Sequence, residues 1–262
     1  MEQVGSLRTS LPTQLRVLYA LLMREVITRF GRHNLGVLWL IGEPMLFTVG
    51  IATLWSLWGI HGGSPIPVVA FAVTGYSSVL MWRNTTGRCT LALEQNKQLL
   101  FHRNVRAIDV FLTRITLEIC GATCSFILLS MFFMFIGWMP FPADLAEVIL
   151  GWVMLAWFTT ALGLAIGAGT AFSEVVERLW HPVAYLLFPL SGAAFMVDWI
   201  PRDLQKYVLL VPMVHATEII REGWFGNVVQ THYNTVYFAA CSLVLSLFGL
   251  TLLWEASRRV EM

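Results

Sequence analysis

Six runs along the chain are apolar for long enough to be expected as membrane-crossing helices: 35–60, 68–82, 108–139, 148–172, 180–197 and 235–254. The second and fifth are the shortest. Residues 1–34 read differently, because the apolar run from Val17 to Met23 is clamped by Arg16 and Arg24, is too short to span, and lacks the small-residue cleavage site of a signal peptide after it. At 100° per residue Leu15, Tyr19, Leu22, Met23, Val26 and Phe30 share one face, with Arg24, Glu25, Thr28, Arg29 and Arg32 opposite. Such a pattern predicts an amphipathic helix lying in the membrane interface, with Pro12 in its first turn. Residues 200–225 cannot cross as one helix: they carry Arg202, Asp203, Lys206, Glu218, Arg221 and Glu222 and are interrupted by Pro201 and Pro212. Two short helices dipping into the outer leaflet as a re-entrant hairpin fit better, which implies a pathway beside them; the plainer alternative is an outer loop with one amphipathic helix.

Composition agrees with this pattern. Of 262 residues 57% are hydrophobic and only 13% charged, about half the charged share of an ordinary soluble domain, so little mass is left for an extramembrane catalytic domain. The basic residues are distributed by topology. Thirteen of the seventeen Lys and Arg fall before the first run, between the second and third, between the fourth and fifth, and at the end, against three (Arg202, Lys206, Arg221) in the opposite loops. The positive-inside bias therefore predicts an all-α membrane protein of six transmembrane helices with both termini cytoplasmic. A net charge of +1 offers no basic field for nucleic acid, which is set aside as a partner.

Missing motifs narrow the chemistry. The two lysines, Lys97 and Lys206, do not follow glycine, so the chain has no phosphate-binding loop and does not hydrolyse ATP alone. It also lacks H-E-x-x-H, G-x-S-x-G and C-x-x-C, and its histidines have no ligand-like spacing, so no catalytic, cofactor-binding or metal-ligating residue is expected. The four cysteines read as small buried hydrophobes. Gly163 and Gly167 form a small-xxx-small face for close helix approach, within the chain or between chains. Glu43 lies inside the first apolar run and needs a partner or a cavity. Arg114 and Glu118, four apart near the start of the third, can neutralise each other. Residues 88–106 are too charged to insert and suit docking against a cytoplasmic partner or lying along the surface as a connector.

Several of these residues together resemble one family. Arg24, Arg29, Phe30 and Gly31, followed by Leu35, Gly36 and Trp39 and then Glu43-Pro44, resemble the passage from interfacial helix to first span in permease subunits of ABC-2 type exporters, in their capsular-polysaccharide (KpsM-like) branch. Glu94, Asn96, Leu100, Phe101, Val105, Asp109, Arg114 and Glu118 are similar to that family's cytoplasmic helix and third-span start, and Pro212 through Glu222 to its second re-entrant helix. Asn104, Ala107 and Val211 depart from the residues common there. The resemblance covers the chain nearly end to end. It implies a single transmembrane domain over 1–262 working as a homodimer with two separate ABC ATPase subunits, which would hold the ATP and Mg, in the bacterial inner membrane. Its cargo would be a lipid-linked acidic polysaccharide handed to periplasmic and outer-membrane capsule export proteins. In those terms Glu94, Phe101, Arg103 and Arg106 would couple to the ATPase, and Arg24, Arg29 and Arg32 would meet anionic head groups. Trp39, Glu43, Phe47, Trp180, Tyr185, Phe188 and Phe195 are channel-lining candidates, and His215, Glu218, Arg221 and Glu222 would form the periplasmic gate, with Arg221 paired to Glu218 or Glu222.

Other readings remain open at this stage. The same machine could carry O-antigen, teichoic acid or another lipid-linked glycan. An ion-coupled secondary transporter would call for inverted repeats and paired midplane carboxylates, which the chain lacks. A membrane-embedded enzyme on lipid-linked sugars would need acidic or histidine side chains converging at one depth.

Overall fold

The protein is described here by a computed structural model covering residues 7–30, 35–58, 66–100 and 105–260, without the side chains of 7–11, 29, 30, 35–41, 43, 44, 56, 58 and 260. Every regular element among the described residues is helical: α1 (Leu7–Phe30), α2 (Leu35–Trp58), α3 (Val68–Thr90), the one-turn α4 (Ala92–Gln95) and α5 (Lys97–Leu100), α6 (Ala107–Ile136), α7 (Leu145–Gly169), α8 (Glu174–Leu190), α9 (Arg202–Val208), α10 (Pro212–Phe225) and α11 (Thr235–Val260). Single 3-10 turns at Val197–Trp199 and Gly226–Val228 flank the α9–α10 pair.

Among the described residues three helices, α6, α7 and α11, are long and apolar enough to cross a membrane. In α2 the apolar stretch Met45–Trp55 is shorter, and α8, with Pro182 and Pro189 inside it, has only 17 residues. The fifth apolar run therefore starts earlier than its hydropathy suggests. Ser173 caps α8 through its Oγ, which accepts from the Val175 amide, and Glu174 and Glu177 occupy the dipole-favoured first turn. Gly137, at φ 82°, ends α6 in the left-handed conformation, and the Trp138 amide reaches back to the Phe133 carbonyl, with the two rings stacked 6.1 Å apart. Asp144 caps α7 by accepting from the amides of Ala146 and Glu147.

Packing is arranged around α7, which α3, α10 and α11 embrace, while α6 packs chiefly on α3, touches α7 and carries α1. From Ala70 to Trp82 every residue of α3 is buried, including Thr74, Ser77 and Ser78. Two of those hydroxyls donate to carbonyls of the preceding turn, Thr74 to Ala70 and Ser78 to Thr74, as polar side chains away from water must. The aromatic centre is Phe126 stacked on Trp152 at 4.4 Å, with Trp224 edge-on at 5.7 Å. Gly163 and Gly167 are used inside the chain: a methyl group at Gly163 would lie 3.2 Å from Cys89 Sγ, and one at Gly167 would collide with Phe111 and the Cys89 carbonyl. The outer faces of α6 and α11 remain apolar and exposed, with Ile127, Met131 and Phe135 on the first and Leu243, Leu247 and Phe248 on the second.

α1 begins at Leu7, so Pro12 sits in its second turn rather than its first. Its apolar residues Leu15, Tyr19 and Ile27 are exposed, whereas Leu21 is buried and Gln14, Arg24 and Glu25 turn inward to polar partners. The polar face is the docked one. That suits a helix whose oily face meets lipid.

Candidate functional site

Two polar clusters stand at opposite ends of α3. The first is built on α10, where all residues except Pro212 and Glu222 are buried, among them the ionisable His215, Glu218 and Arg221. Pro212 opens this helix, since its missing amide hydrogen is not needed there. Arg221 has no exposed surface. Its Nη1 donates to the carbonyls of Gly192 and Phe195, both at 2.6 Å, and its Nη2 to that of Ala193 at 2.8 Å. The guanidinium lies 3.7 Å from the centroid of the Phe71 ring. Glu218 completes the bracket by accepting from the amides of Val197 at 3.3 Å and His232 at 3.1 Å.

These bonds correct the expected pairing of Arg221 with Glu218 or Glu222: no ion pair joins them among the described residues, and the planar fork goes to three main-chain carbonyls instead. Gly75 makes the arrangement fit, since a side chain there would collide with the Ala193 carbonyl and come within 2.8 Å of Arg221 Nη2. Burial lowers the Arg221 guanidinium to about 9, opposed by the Glu218 charge. Burial also raises Glu218, opposed by Arg221 and by the two amides.

α10 grips the connector to α11 as well. Glu222 accepts from the Thr231 hydroxyl at 2.6 Å, and His215 Nδ1 accepts from the Asn234 amide at 3.0 Å. That bond leaves His215 Nε2 to carry the hydrogen it directs at the Leu209 carbonyl, 2.9 Å away. Tyr233 donates to Glu147 at the start of α7. Residues 231–234 are thus held one by one, and 192–197 are held from the other side of the same helix. Neither Thr231, Tyr233 nor Asn234 is marked by sequence spacing, because their partners stand far away along the chain.

The second cluster joins α1, the segment 88–96 and α6. Arg114, nearly buried, donates to the Arg88 carbonyl at 2.8 Å and to Gln95 Oε1 at 2.6 Å, and its Nε lies 3.6 Å from Glu25. Glu118 faces Arg88 at 3.6 Å. Arg114 and Glu118, expected from their spacing to neutralise each other, thus each also meet a longer-range partner, Glu25 on α1 and Arg88 on α3. Arg24 donates to Asn96 at 3.1 Å, Gln14 to Asp109, and Asp109 also receives the Arg106 amide. A cleft lies between Leu21, Arg24, Glu25, Asn96, Thr113 and Arg114.

The remaining candidates separate by exposure. Glu94 and Arg106 are exposed on the 88–106 segment, whereas Phe101 and Arg103 lie outside the described residues, as do Arg32 and the side chains of Arg29, Trp39 and Glu43. Phe47 is exposed and stacked 5.1 Å from Tyr76, which meets Phe188 edge-on at 6.3 Å. Tyr185 is exposed with Arg83 above its ring, and Phe195 is half-buried. These residues place one aromatic wall along α2, α3 and α8. Trp180 stands apart from it, buried against Trp82.

Residues 16–225 match the ABC-2 type transporter family. Across 252 residues, 96% of this chain and 95% of the relative, the sequence is 43% identical to the capsule polysaccharide export inner-membrane protein CtrC of Neisseria meningitidis serogroup B. It is 39% identical to the capsule polysaccharide export inner-membrane protein BexB of Haemophilus influenzae over 97% of this chain and 96% of the relative. It is 29% identical to the polysialic acid transport protein KpsM of Escherichia coli over 94% of this chain and 95% of the relative.

Proposed function

We propose, from the premise that this chain belongs to the ABC-2 type transporter family, that it is the permease subunit of an ATP-driven exporter moving lipid-linked capsular polysaccharide across the bacterial inner membrane. The carrying observation is the near full-length identity to two capsule polysaccharide export inner-membrane proteins. The chain is then a multi-pass inner-membrane protein of six spans with cytoplasmic termini, a single domain in which 1–34 lie in the interface, 88–106 couple to the ATPase and 200–225 form a re-entrant periplasmic gate. A sequence with two lysines and no phosphate loop leaves ATP and Mg to a partner. Two ATPase subunits would bind a homodimer, with capsule export proteins beyond the membrane. Another lipid-linked glycan is the second reading of the cargo.

Mechanically, ATP binding draws the ATPases together and shifts a permease whose states differ by a few kcal/mol. Exposed Glu94 and Arg106, with Phe101 and Arg103 between them, receive that motion. Arg114 relays it, since one guanidinium ties the 88–95 segment to α6 and to Glu25 of α1. Arg24, Arg29 and Arg32 attract anionic head groups. On the translocation side the wall bearing Phe47, Phe188 and Tyr185 offers ring faces to sugar C–H surfaces; Trp39, Glu43, Trp180 and Phe195 are the other lining residues of this reading. His215, Glu218, Arg221 and Glu222 act as the gate's frame. In the test, the tagged chain is purified gently from its native membrane. A phosphate-loop ATPase should accompany it one-to-one, and charge reversal at Glu94 or Arg103 should release that subunit or uncouple its hydrolysis. A chain that arrives alone and active would overturn the proposal.

A further inference from the structure

Arg88, Arg114, Arg178 and Arg221 face carboxylates or carbonyls. Arg258 and Arg259 instead rest on aromatic rings, as Arg83 does on Tyr185, and stand next to each other at one helix end with no hydrogen bond or ion pair among the described residues. The Arg258 guanidinium lies 3.8 Å from the centroid of Trp254 and that of Arg259 lies 4.4 Å from the centroid of Phe172, in the turn after α7. A ring face fixes a guanidinium while leaving its N–H fork free, and the fork matches phosphate. At the last turn of α11 the helix dipole favours the two charges.

Behind this fork runs a matching apolar track. Leu243, Leu247, Leu250 and Trp254 are exposed, and their spacing of four, three and four sets them on one face that ends at Arg258. Eleven residues of helix rise about 16 Å, close to half of a hydrocarbon core of about 30 Å. One leaflet's acyl chain fits that length. We propose that this end of α11 retains one anionic phospholipid, its phosphate on Arg258 with Arg259 beside it and an acyl chain along Leu243, Leu247, Leu250 and Trp254. The inference rests on the chain's membrane location and not on its cargo.

To test it, the full chain, purified with whatever subunits accompany it, is exchanged into detergent. Native mass spectrometry then counts phosphatidylglycerol and phosphatidylcholine of the same chain length that stay bound. One phosphatidylglycerol per chain should persist in preference to phosphatidylcholine. R258Q/R259Q should weaken that retention by more than tenfold, at about fivefold per arginine, and Trp254→Ala should weaken it less. Arg178→Gln, which breaks an arginine already paired with Glu174, should leave it unchanged. Equal retention of the two lipids, or unchanged retention in R258Q/R259Q, would overturn the site. So would displacement of the lipid by millimolar inorganic phosphate, which would make the fork a free-anion site. In membranes, Leu247→Cys should form no disulfide-linked dimer under oxidation beyond any that the wild type forms; a new disulfide-linked dimer would assign the track to a second copy instead.

Discussion

Arg221 is held by geometry that few other side chains could supply. Three carbonyls converge on two nitrogens of one planar group, and a Phe71 ring closes one side. Arg221→Ala leaves those carbonyls buried without donors, so the expected loss is about 3 kcal/mol or more, seen as a lowered melting temperature together with loss of export. Arg221→Lys should recover little of either, because a single ammonium cannot reach three acceptors set apart in this way. His215 makes a second residue-scale prediction. It is neutral in the folded chain, where burial lowers its pKa against the opposing bond to the Leu209 carbonyl. An unfolded imidazole takes its proton near pH 6.5, the folded one only below that, so the unfolded state binds more protons as the solution is acidified through this range. Stability should fall accordingly between pH 7.5 and 5.5, and the melting temperature of His215→Gln should depend less steeply on pH over that interval.

Among the elements, α10 depends on close approach to α7. A methyl group at Gly223 would lie 2.6 Å from the Val148 amide nitrogen, and the Gly223 carbonyl receives the Asp144 amide at 2.8 Å. Gly223→Ala should therefore destabilise by about 1 to 3 kcal/mol through overpacking, measured as a shift in thermal unfolding. At the other cluster, a double-mutant cycle of Glu25→Gln with Arg114→Gln should return a coupling of about 0.5 kcal/mol or more; strict additivity would show α1 to be only passively attached. The helices were legible in the sequence because hydropathy and capping are local: α6, α7 and α11 lie where their apolar runs stand, with Asp144 and Gly137 at their ends. The start of α8 was missed since Ser173 outranks the apolar pattern as a start signal. At the candidate site, His215, Glu218, Arg221 and Glu222, singled out in the sequence, all make specific bonds. Their partners were not legible, because a carbonyl at position 193 carries no mark in the sequence and Arg114 had nearer acids than Glu25.

For the whole molecule, the difference between its apolar helices is instructive. α7 buries 61% of its most apolar window inside the chain, against 28% for α6 and 22% for α11. One helix is therefore a shared core and two present most of their surface to surroundings that must be apolar as well. On the six-span reading, a reporter fused after Met262 should be active only in the cytoplasm and one inserted at Pro142 only outside; the same result at both positions would refute that topology.

The bracket formed by Arg221 and Glu218 has a consequence for how such a chain can diversify. Every bond it makes to residues 192–197, apart from a long contact to the Met196 sulfur, ends on main-chain atoms. Ala194 is exposed and Phe195 half-buried on the loop held this way, so those side chains can be exchanged with the backbone path kept. A scaffold anchored through its peptide groups is free to present different surfaces at one fixed location, and changes confined to 194 and 195 should leave the melting temperature of the protein nearly unchanged.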